Sequence, residues 1–348
     1  MFKMLRKATL ALPVCLSFLF SCETEPEILA PYKEQAVIYG LLNQKDSIQI
    51  IEVGRVFQGA GNAYDMARVS DSINYNSSDI VVSLEETENG AVRKTIILND
   101  TVISSATSGT FDKSNNKAYY TNEKLSYLYS YILRLKNLKT GYECSAQTPL
   151  VSVNVPAERD TILITRLPRS PKIALKLDVT KYATLSPTWS SIPNGRDYQM
   201  TLRFHYKEYT NGNDTVYKFI DWKQALITAG NIKGGELIAQ EIKCEDFFKF
   251  LQVQKDAGVF EDNNVNRKPN YLEIFMAIGG DELSTYSKVS KPSSTVIYQE
   301  RPYYSNIKNG LGILSCRYVT TPYKKKFDST TLREFAFGPY TSGLNFRE

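Results

Sequence analysis

The feature that most constrains the fold is Asn89-Gly90, which stands between apolar runs at residues 80–84 and 94–98. Asn and Gly tolerate positive φ angles, so this dipeptide between alternating apolar residues predicts a tight β-hairpin. A second hairpin is predicted where residues 129–135 and 142–146 are joined through Thr140-Gly141. Strands at this spacing, with turn signals between them, predict a β-sandwich.

The strand pattern resumes after residue 155, where Trp189 on one predicted strand precedes Tyr198 at the start of the next. That order is typical of immunoglobulin-like and fibronectin-III-like sandwiches. A helix is predicted near residues 245–256, because Phe247, Phe248 and Leu251 recur at helical spacing. Further strands are predicted at 161–164, 271–278, 295–298, 311–318 and 332–337.

The predicted fold class is therefore mostly β, with two β-sandwich domains at residues 35–155 and 156–348. The second domain is expected to be immunoglobulin- or fibronectin-III-like, with the helix inserted. The 23 Tyr and 16 Phe residues, beside many Thr, Val and Ile, also favour strands.

Residues 1–21 have the composition of a secretory signal peptide. Lys3, Arg6 and Lys7 precede an apolar stretch at 8–20, which is too short for a bilayer that needs about 20 residues. Cys22 directly follows Ser21, in a pattern that resembles a bacterial lipobox. We expect Cys22 to be lipidated and to hold the protein at the outer membrane; the alternative is an uncleaved membrane anchor.

Residues 22–34 are expected to be an acidic tether. Glu23, Glu25 and Glu27 alternate after Cys22, which resembles the export signal that takes Bacteroidota lipoproteins to the cell surface. The alternative is a solvated linker that Pro26 keeps extended.

The net charge limits the classes of ligand, and the cysteine content limits the number of disulfides. Loss of Lys3, Arg6 and Lys7 from the 42 basic residues leaves 39 against 37 acidic residues, a net charge of +2, which does not favour nucleic acid. With Cys15 removed in the signal peptide and Cys22 acylated, three of the five cysteines remain able to pair, and an odd number permits at most one disulfide. We consider a Cys244–Cys316 disulfide or three buried, unpaired thiols, with Cys144 as the third.

Catalytic and metal-binding patterns were not found in the sequence. His205 is the only histidine, and alternation places it on one strand face with Arg203 and Lys207, where we expect it to be solvated. Ser-His-Asp, Cys-His and histidine-rich zinc sites are therefore not expected. The prediction is a protein that is not an enzyme and has no cofactor and no metal.

Two segments are candidates for partner binding. Residues 58–78 form a long connection in which Asn62 could cap a short helix that presents Tyr64 and Met66. Residues 300–306 contain Arg301, Tyr303 and Tyr304, residue types that suit interfaces. The alternative for both is ordinary packing of loop side chains onto the sandwich.

Asp followed by Ser or Thr recurs in a pattern that resembles the O-glycosylation signal of extracytoplasmic Bacteroidota proteins. The alternative is that these pairs mark turns that enter strands. The candidate acceptors are Ser47, Ser72, Thr101, Thr161, Thr215 and Ser329.

The order of the motifs at 37–43, 57–72, 247–251 and 309–314 resembles a family of Bacteroidota surface lipoproteins of unknown function. Its members have two β-domains and are often encoded beside TonB-dependent receptors. The resemblance implies a surface-exposed, non-enzymatic accessory subunit of such a receptor or of another outer-membrane complex. The alternative is an adhesion or glycan-binding module; an enzyme is less favoured.

Overall fold

The computed structural model describes residues 31–59, 62–103, 116–153, 164–210, 213–260, 264–290 and 303–348. These residues are 46% strand and 16% helix, so the prediction of a mostly β chain is confirmed. The predicted signal peptide and most of the tether lie outside the described residues.

The described residues of the first half form eight strands and two short helices. The helices are α1 (Ala63–Met66) and α2 (Ser70–Ile73). The strands are β1 (Ala36–Leu42), β2 (Gln49–Arg55), β3 (Ile80–Glu88), β4 (Ala91–Ile97), β5 (Asn99–Ile103), β6 (Asn116–Thr121), β7 (Ser130–Asn137) and β8 (Glu143–Pro149).

In the second half, the part of the chain that the structure describes adds eleven strands and three α-helices. The helices are α3 (Cys244–Asp256), α4 (Asp281–Ser290) and α5 (Ser329–Phe337), and a short 3-10 helix follows at Ser342–Leu344. The strands are β9 (Lys172–Ile173), β10 (Thr184–Leu185), β11 (Thr188–Ser190), β12 (Asp197–Thr210), β13 (Asn213–Lys223), β14 (Ile227–Thr228), β15 (Leu237–Ala239), β16 (Ile242–Lys243), β17 (Asn266–Gly279), β18 (Gly310–Val319) and β19 (Tyr323–Phe327).

Both predicted hairpins are confirmed. Asn89 and Gly90 join β3 to β4 with φ angles of 50° and 84°, the left-handed pair that a two-residue hairpin turn requires. Gly141, with a φ of 73°, lies in the connection from β7 to β8. These strands form a four-stranded sheet in the order β4-β3-β7-β8.

The largest sheet has eleven strands and joins the two halves of the chain. Its main path is β13-β12-β17-β18-β1-β2-β6-β5, with β9, β14 and β19 paired off that path. The connection between the halves is a parallel pair in which β1 runs beside β18, from Ala36 opposite Gly310 to Leu42 opposite Cys316. The predicted domain boundary at 155/156 lies outside the described residues and stays a prediction.

Gly312 is required by this pairing. Its φ is 103°, and a Cβ atom there would lie 2.0 Å from the carbonyl oxygen of Ile38. Only glycine permits that backbone geometry and that approach without displacing β1.

The main core of the second half is aromatic and centres on Phe204 of β12, which is fully buried. Its ring stacks on Phe335 of α5 at 4.9 Å between centroids and contacts Phe247 of α3 edge-on at 5.7 Å. Trp189 and Tyr198 are buried with their centroids 6.2 Å apart. Helices and short strands therefore both contribute to the layer that covers β12.

Helix α3 at Cys244–Asp256 confirms the predicted helix. The strand predicted at 332–337 is wrong, because this segment is the end of α5. The Asp328 side chain caps that helix by accepting a hydrogen bond of 3.0 Å from the Thr331 backbone N–H. The predicted strand at 295–298 lies outside the described residues, as does most of the one at 161–164.

Candidate functional site

The outer surface of the β1-β2 pair exposes four large apolar side chains. Buried and exposed residues alternate along both strands, and Tyr39, Leu41 and Ile50 point outward with 44%, 37% and 45% of their surface exposed. Ile48, just before β2, is 47% exposed. We call Tyr39, Leu41, Ile48 and Ile50 the Tyr39 face.

The antiparallel register makes these side chains neighbours. Gly40 pairs with Ile51, so Leu41 and Ile50, which adjoin that pair, lie side by side. Ile50 is opposite Tyr120 of β6, which is half-buried. Scattered apolar residues are normal on a protein surface, whereas a contiguous patch indicates an interaction site.

Helix α4 borders this face. The ring of Tyr286 packs edge-on against Tyr39, with centroids 6.4 Å apart. Burial, with additional effects from Tyr286 and Glu52, raises the pKa of Tyr39 to about 12. The phenol is neutral at physiological pH, as an ordinary tyrosine is, and offers a ring surface together with a hydroxyl that is hydrogen-bonded to Tyr286.

A groove of about 610 Å³ continues from the face toward α1 and α2. The Arg55 side chain holds this region by donating hydrogen bonds to the backbone carbonyls of Asp71 and Ser72. Asn62 caps α1 as predicted, its side chain accepting a 2.8 Å hydrogen bond from the Tyr64 backbone N–H. The large apolar and alanine residues that line it are Val37, Tyr39, Val53, Val56, Phe57, Ala63 and Ile73.

The structure separates the predicted binding residues of the first loop. Tyr64 is 66% exposed on α1, next to Ala63 in the groove wall. Met66 is half-buried, and its methyl group lies 2.8 Å from the position that a Cβ atom on Gly59 would take. Met66 therefore fills space inside the loop, while Tyr64 remains available to a partner.

Of the second predicted loop, Tyr303 is 73% exposed and Tyr304 is half-buried. Burial, followed by the nearby carboxylates of Glu282 and Asp281, raises the pKa of Tyr304. Tyr304 thus lies near the start of α4, the helix that borders the Tyr39 face. Arg301 lies outside the described residues.

A second cavity of about 450 Å³ lies on the outer face of the four-stranded sheet. Two of its cationic side chains already have partners: Arg134 contacts Glu85 at 2.8 Å and Lys136 contacts Glu143 at 2.6 Å. Because these charges are paired within the protein, the Tyr39 face is the better candidate.

The cysteines are buried and unpaired. Cys144, Cys244 and Cys316 are all free, so the Cys244–Cys316 disulfide is wrong and the alternative of three buried thiols is confirmed. Burial raises the pKa of Cys144 to about 11 and those of Cys244 and Cys316 to about 12. A protonated, inaccessible thiol is a poor nucleophile, so these residues serve the core.

His205 lies on the predicted face with Arg203 and Lys207, but it is more enclosed than expected. Its side chain is 20% exposed, its Nε2 atom is 3.0 Å from a carboxylate oxygen of Glu273, and its ring stacks on Tyr271 at 4.3 Å. The His205 side chain is therefore packed against Glu273 and Tyr271 on the sheet surface and is not fully solvated.

The candidate glycosylation residues differ in exposure. Ser47, Thr215 and Ser329 are exposed, whereas Ser72 and Thr101 are half-buried. Asp328, beside Ser329, is a helix cap, which explains one Asp-Ser pair structurally. Thr161 lies outside the described residues, as do Cys22, Glu23, Glu25 and Glu27.

Within the described ranges, no three His, Cys, Asp or Glu side chains converge in an arrangement that could hold a metal ion. No helix in the part of the chain that the structure describes is long and apolar enough to cross a membrane.

No protein-family model matches the chain, and no curated protein matches it significantly. Among solved structures, it is similar to the C-terminal globular domain of an oligosaccharyltransferase from Pyrococcus abyssi, with 8% sequence identity and a TM-score of 0.27. The similarity covers 84% of this chain and 50% of that one, so this chain spans about half the length of that structure. A likeness this distant carries no functional argument.

Proposed function

We propose that the protein is a surface-exposed outer-membrane lipoprotein that binds another outer-membrane protein as a non-enzymatic accessory subunit. Cys22 carries the lipid, and Glu23, Glu25 and Glu27 direct export to the cell surface. The partner is a TonB-dependent receptor or another component of an outer-membrane complex. The lipobox pattern and the acidic residues after it support the location.

The Tyr39 face is the observation that carries the binding role. Tyr39, Leu41 and Ile50 are exposed side by side on two strands whose opposite face is buried in the core. A rigid sheet presents these side chains in a fixed arrangement, which lowers the conformational entropy lost on binding. An aromatic residue among aliphatic ones is typical of the centre of a protein interface.

Site-specific photo-crosslinking from residue 50 in the native host tests the binding role. We expect a crosslink to one outer-membrane protein, identified by mass spectrometry as a TonB-dependent receptor or a component of its complex. Ile97 provides a matched control, because it is also a strand isoleucine, is 59% exposed and lies on the four-stranded sheet. Equal crosslinking from positions 50 and 97, or none from position 50, would contradict the assignment.

Separate variants test the location. Cys22→Ser is expected to abolish lipidation, so that the protein is released or left uncleaved. Replacing Glu23, Glu25 and Glu27 with Ala should reduce the protease accessibility of the protein on whole cells. A Cys22→Ser form of mature length that still sediments with membranes would refute the lipid anchor.

A further inference from the structure

A second surface, on the other half of the large sheet, concentrates positive charge. On β12, Phe204 and Tyr206 are buried, so Arg203, His205 and Lys207 between and beside them lie on the outer face. The six cationic residues of this surface, which we call the basic face, are Lys172, Arg203, Lys207, Lys268, Lys324 and Lys326.

The strand register aligns these residues in rows across the sheet. One row runs from Phe219 through His205, Tyr271 and Lys326 to Lys172, each opposite the next on five adjacent strands. The row on one side contains Arg203 and Lys324, and the row on the other contains Lys207 and Lys268. Since residues in register share a face of the sheet, all six cations lie on one surface.

The charge of this face is large compared with that of the chain. Asp221 and Glu273 are the two carboxylates in the same rows, and they pair with Arg203 at 2.7 Å and with Lys324 at 3.4 Å. The other four cations, which are Lys172, Lys207, Lys268 and Lys326, leave the basic face with a net charge of +4. The whole sequence has a net charge of +5. A surface with this imbalance attracts anionic ligands and repels cationic ones.

Aromatic rings lie among the charges. Tyr217 and Phe219 alternate on β13, are 67% and 55% exposed, and point to the same side about 7 Å apart. Arg203 lies over the Phe219 ring at 4.3 Å, and Lys207 lies over the Tyr217 ring at 5.0 Å. These cation–π contacts hold both the rings and the charged groups in place before a ligand arrives.

We propose that the basic face binds an acidic polysaccharide, one that carries uronate or sulfate groups. Five adjacent strands make an open surface that suits an extended polymer, and the two exposed rings offer flat apolar faces on which sugar rings can stack. Lysine is depleted at the centres of protein interfaces, so five lysines among six cations favour a polyanion over a protein. The charge and the rings alone do not distinguish a polysaccharide from nucleic acid. We choose the polysaccharide because the proposed function places the protein at the cell surface.

Equilibrium binding of the full-length protein in detergent tests this assignment, with polygalacturonate, heparin, neutral dextran and oligo(dT) as probes. We expect binding to polygalacturonate or heparin that weakens as salt is raised, and no binding to dextran. The variant Lys207→Glu with Lys326→Glu should weaken binding at least about tenfold. Tyr217→Ala with Phe219→Ala should also weaken it, while leaving the salt dependence nearly unchanged.

The matched control is Lys136→Glu with Lys139→Glu, an equal charge change on the four-stranded sheet and its connection, which should alter binding less than about twofold. If the control variant loses as much affinity for the acidic polymers as the Lys207→Glu, Lys326→Glu variant does, binding reflects non-specific charge attraction and the proposal is overturned. An absence of binding to both acidic polymers at low salt, or binding to oligo(dT) alone, would also overturn it. This binding test uses purified protein, so its outcome is independent of the crosslinking test in the native host. Either the polysaccharide proposal or the partner proposal can fail without the other.

Discussion

Replacing Phe204 with Ala should severely destabilise the second half of the chain. Phe204 is fully buried, and its ring contacts Phe247, Phe327 and Phe335, with centroids 5.7, 5.8 and 4.9 Å away. Truncation removes the transfer free energy of the ring and leaves a cavity among side chains that belong to several elements. Phe→Ala changes of this kind cost about 3–5 kcal/mol, and the additional loss of aromatic pairs favours the upper part of that range.

The chain provides a matched control on the next strand. Phe219→Ala is the same substitution, opposite His205 on the outer face, where the ring is 55% exposed. It loses a cation–π contact with Arg203 and little burial, so we expect a cost below about 1 kcal/mol.

Denaturant unfolding followed by tryptophan fluorescence measures both variants. The two tryptophans, Trp189 and Trp222, are both in the second half, and Trp222 packs against Phe247 at 5.6 Å. The signal therefore reports on the core that contains Phe204. A cost below about 1.5 kcal/mol for Phe204→Ala, or equal costs for the two variants, would refute the view that this cluster dominates the core.

Three further outcomes follow from the structure. Arg267→Ala should cost about 3 kcal/mol in unfolding experiments, because Arg267 is 1% exposed and lies 2.9 Å from Glu208; a cost below about 1 kcal/mol would contradict this. Gly312→Ala should cost more than about 3 kcal/mol or prevent folding, whereas Gly90→Ala, with open space around it, should cost about 1–2 kcal/mol; equal melting temperatures would disprove the difference. Burial raises the pKa of Cys316 to about 12 from 9.0, so the unfolded state loses its proton first as the pH rises, and the melting temperature should fall above pH 9 rather than rise.

Local signals in the sequence were sufficient for the hairpins and for α3. The turn at Asn89 and Gly90 depends on two backbone angles that only a few residue types adopt readily, so this dipeptide between apolar alternations is enough to predict it. Helix α3 has its buried residues Phe247, Phe248 and Leu251 on one side, which matches the helical period.

Helix α5 shows that the same Asp-Ser pair can indicate either a glycosylation site or the start of a helix. Asp328 and Ser329 match the glycosylation pattern, and the apolar residues after them predict a strand. The same Asp is the N-cap of a helix that buries Thr331 and Phe335, four residues apart. A capping interpretation of Asp328 would have identified the helix.

The pairing of β1 with β18 and the basic face could not be predicted from the sequence. Ala36 and Gly310 are paired although 274 positions separate them, and neither strand contains a signal for the other. The basic face brings together residues from Lys172 to Lys326 that adjoin only when five strands take their register. The sequence does contain an indication of the Tyr39 face, since residues 37–42 are apolar at outward as well as inward positions.

Because β1 pairs with β18, the large sheet cannot be completed until β18 has been synthesised. During synthesis, β1 lacks its β18 neighbour until the 274 positions from Ala36 to Gly310 have been added. Contacts so distant in sequence slow folding, and in the meantime an apolar strand with a free edge invites aggregation. A chaperone that shields unpaired strands should therefore matter more to the yield of this protein than to the yield of one whose sheets close locally.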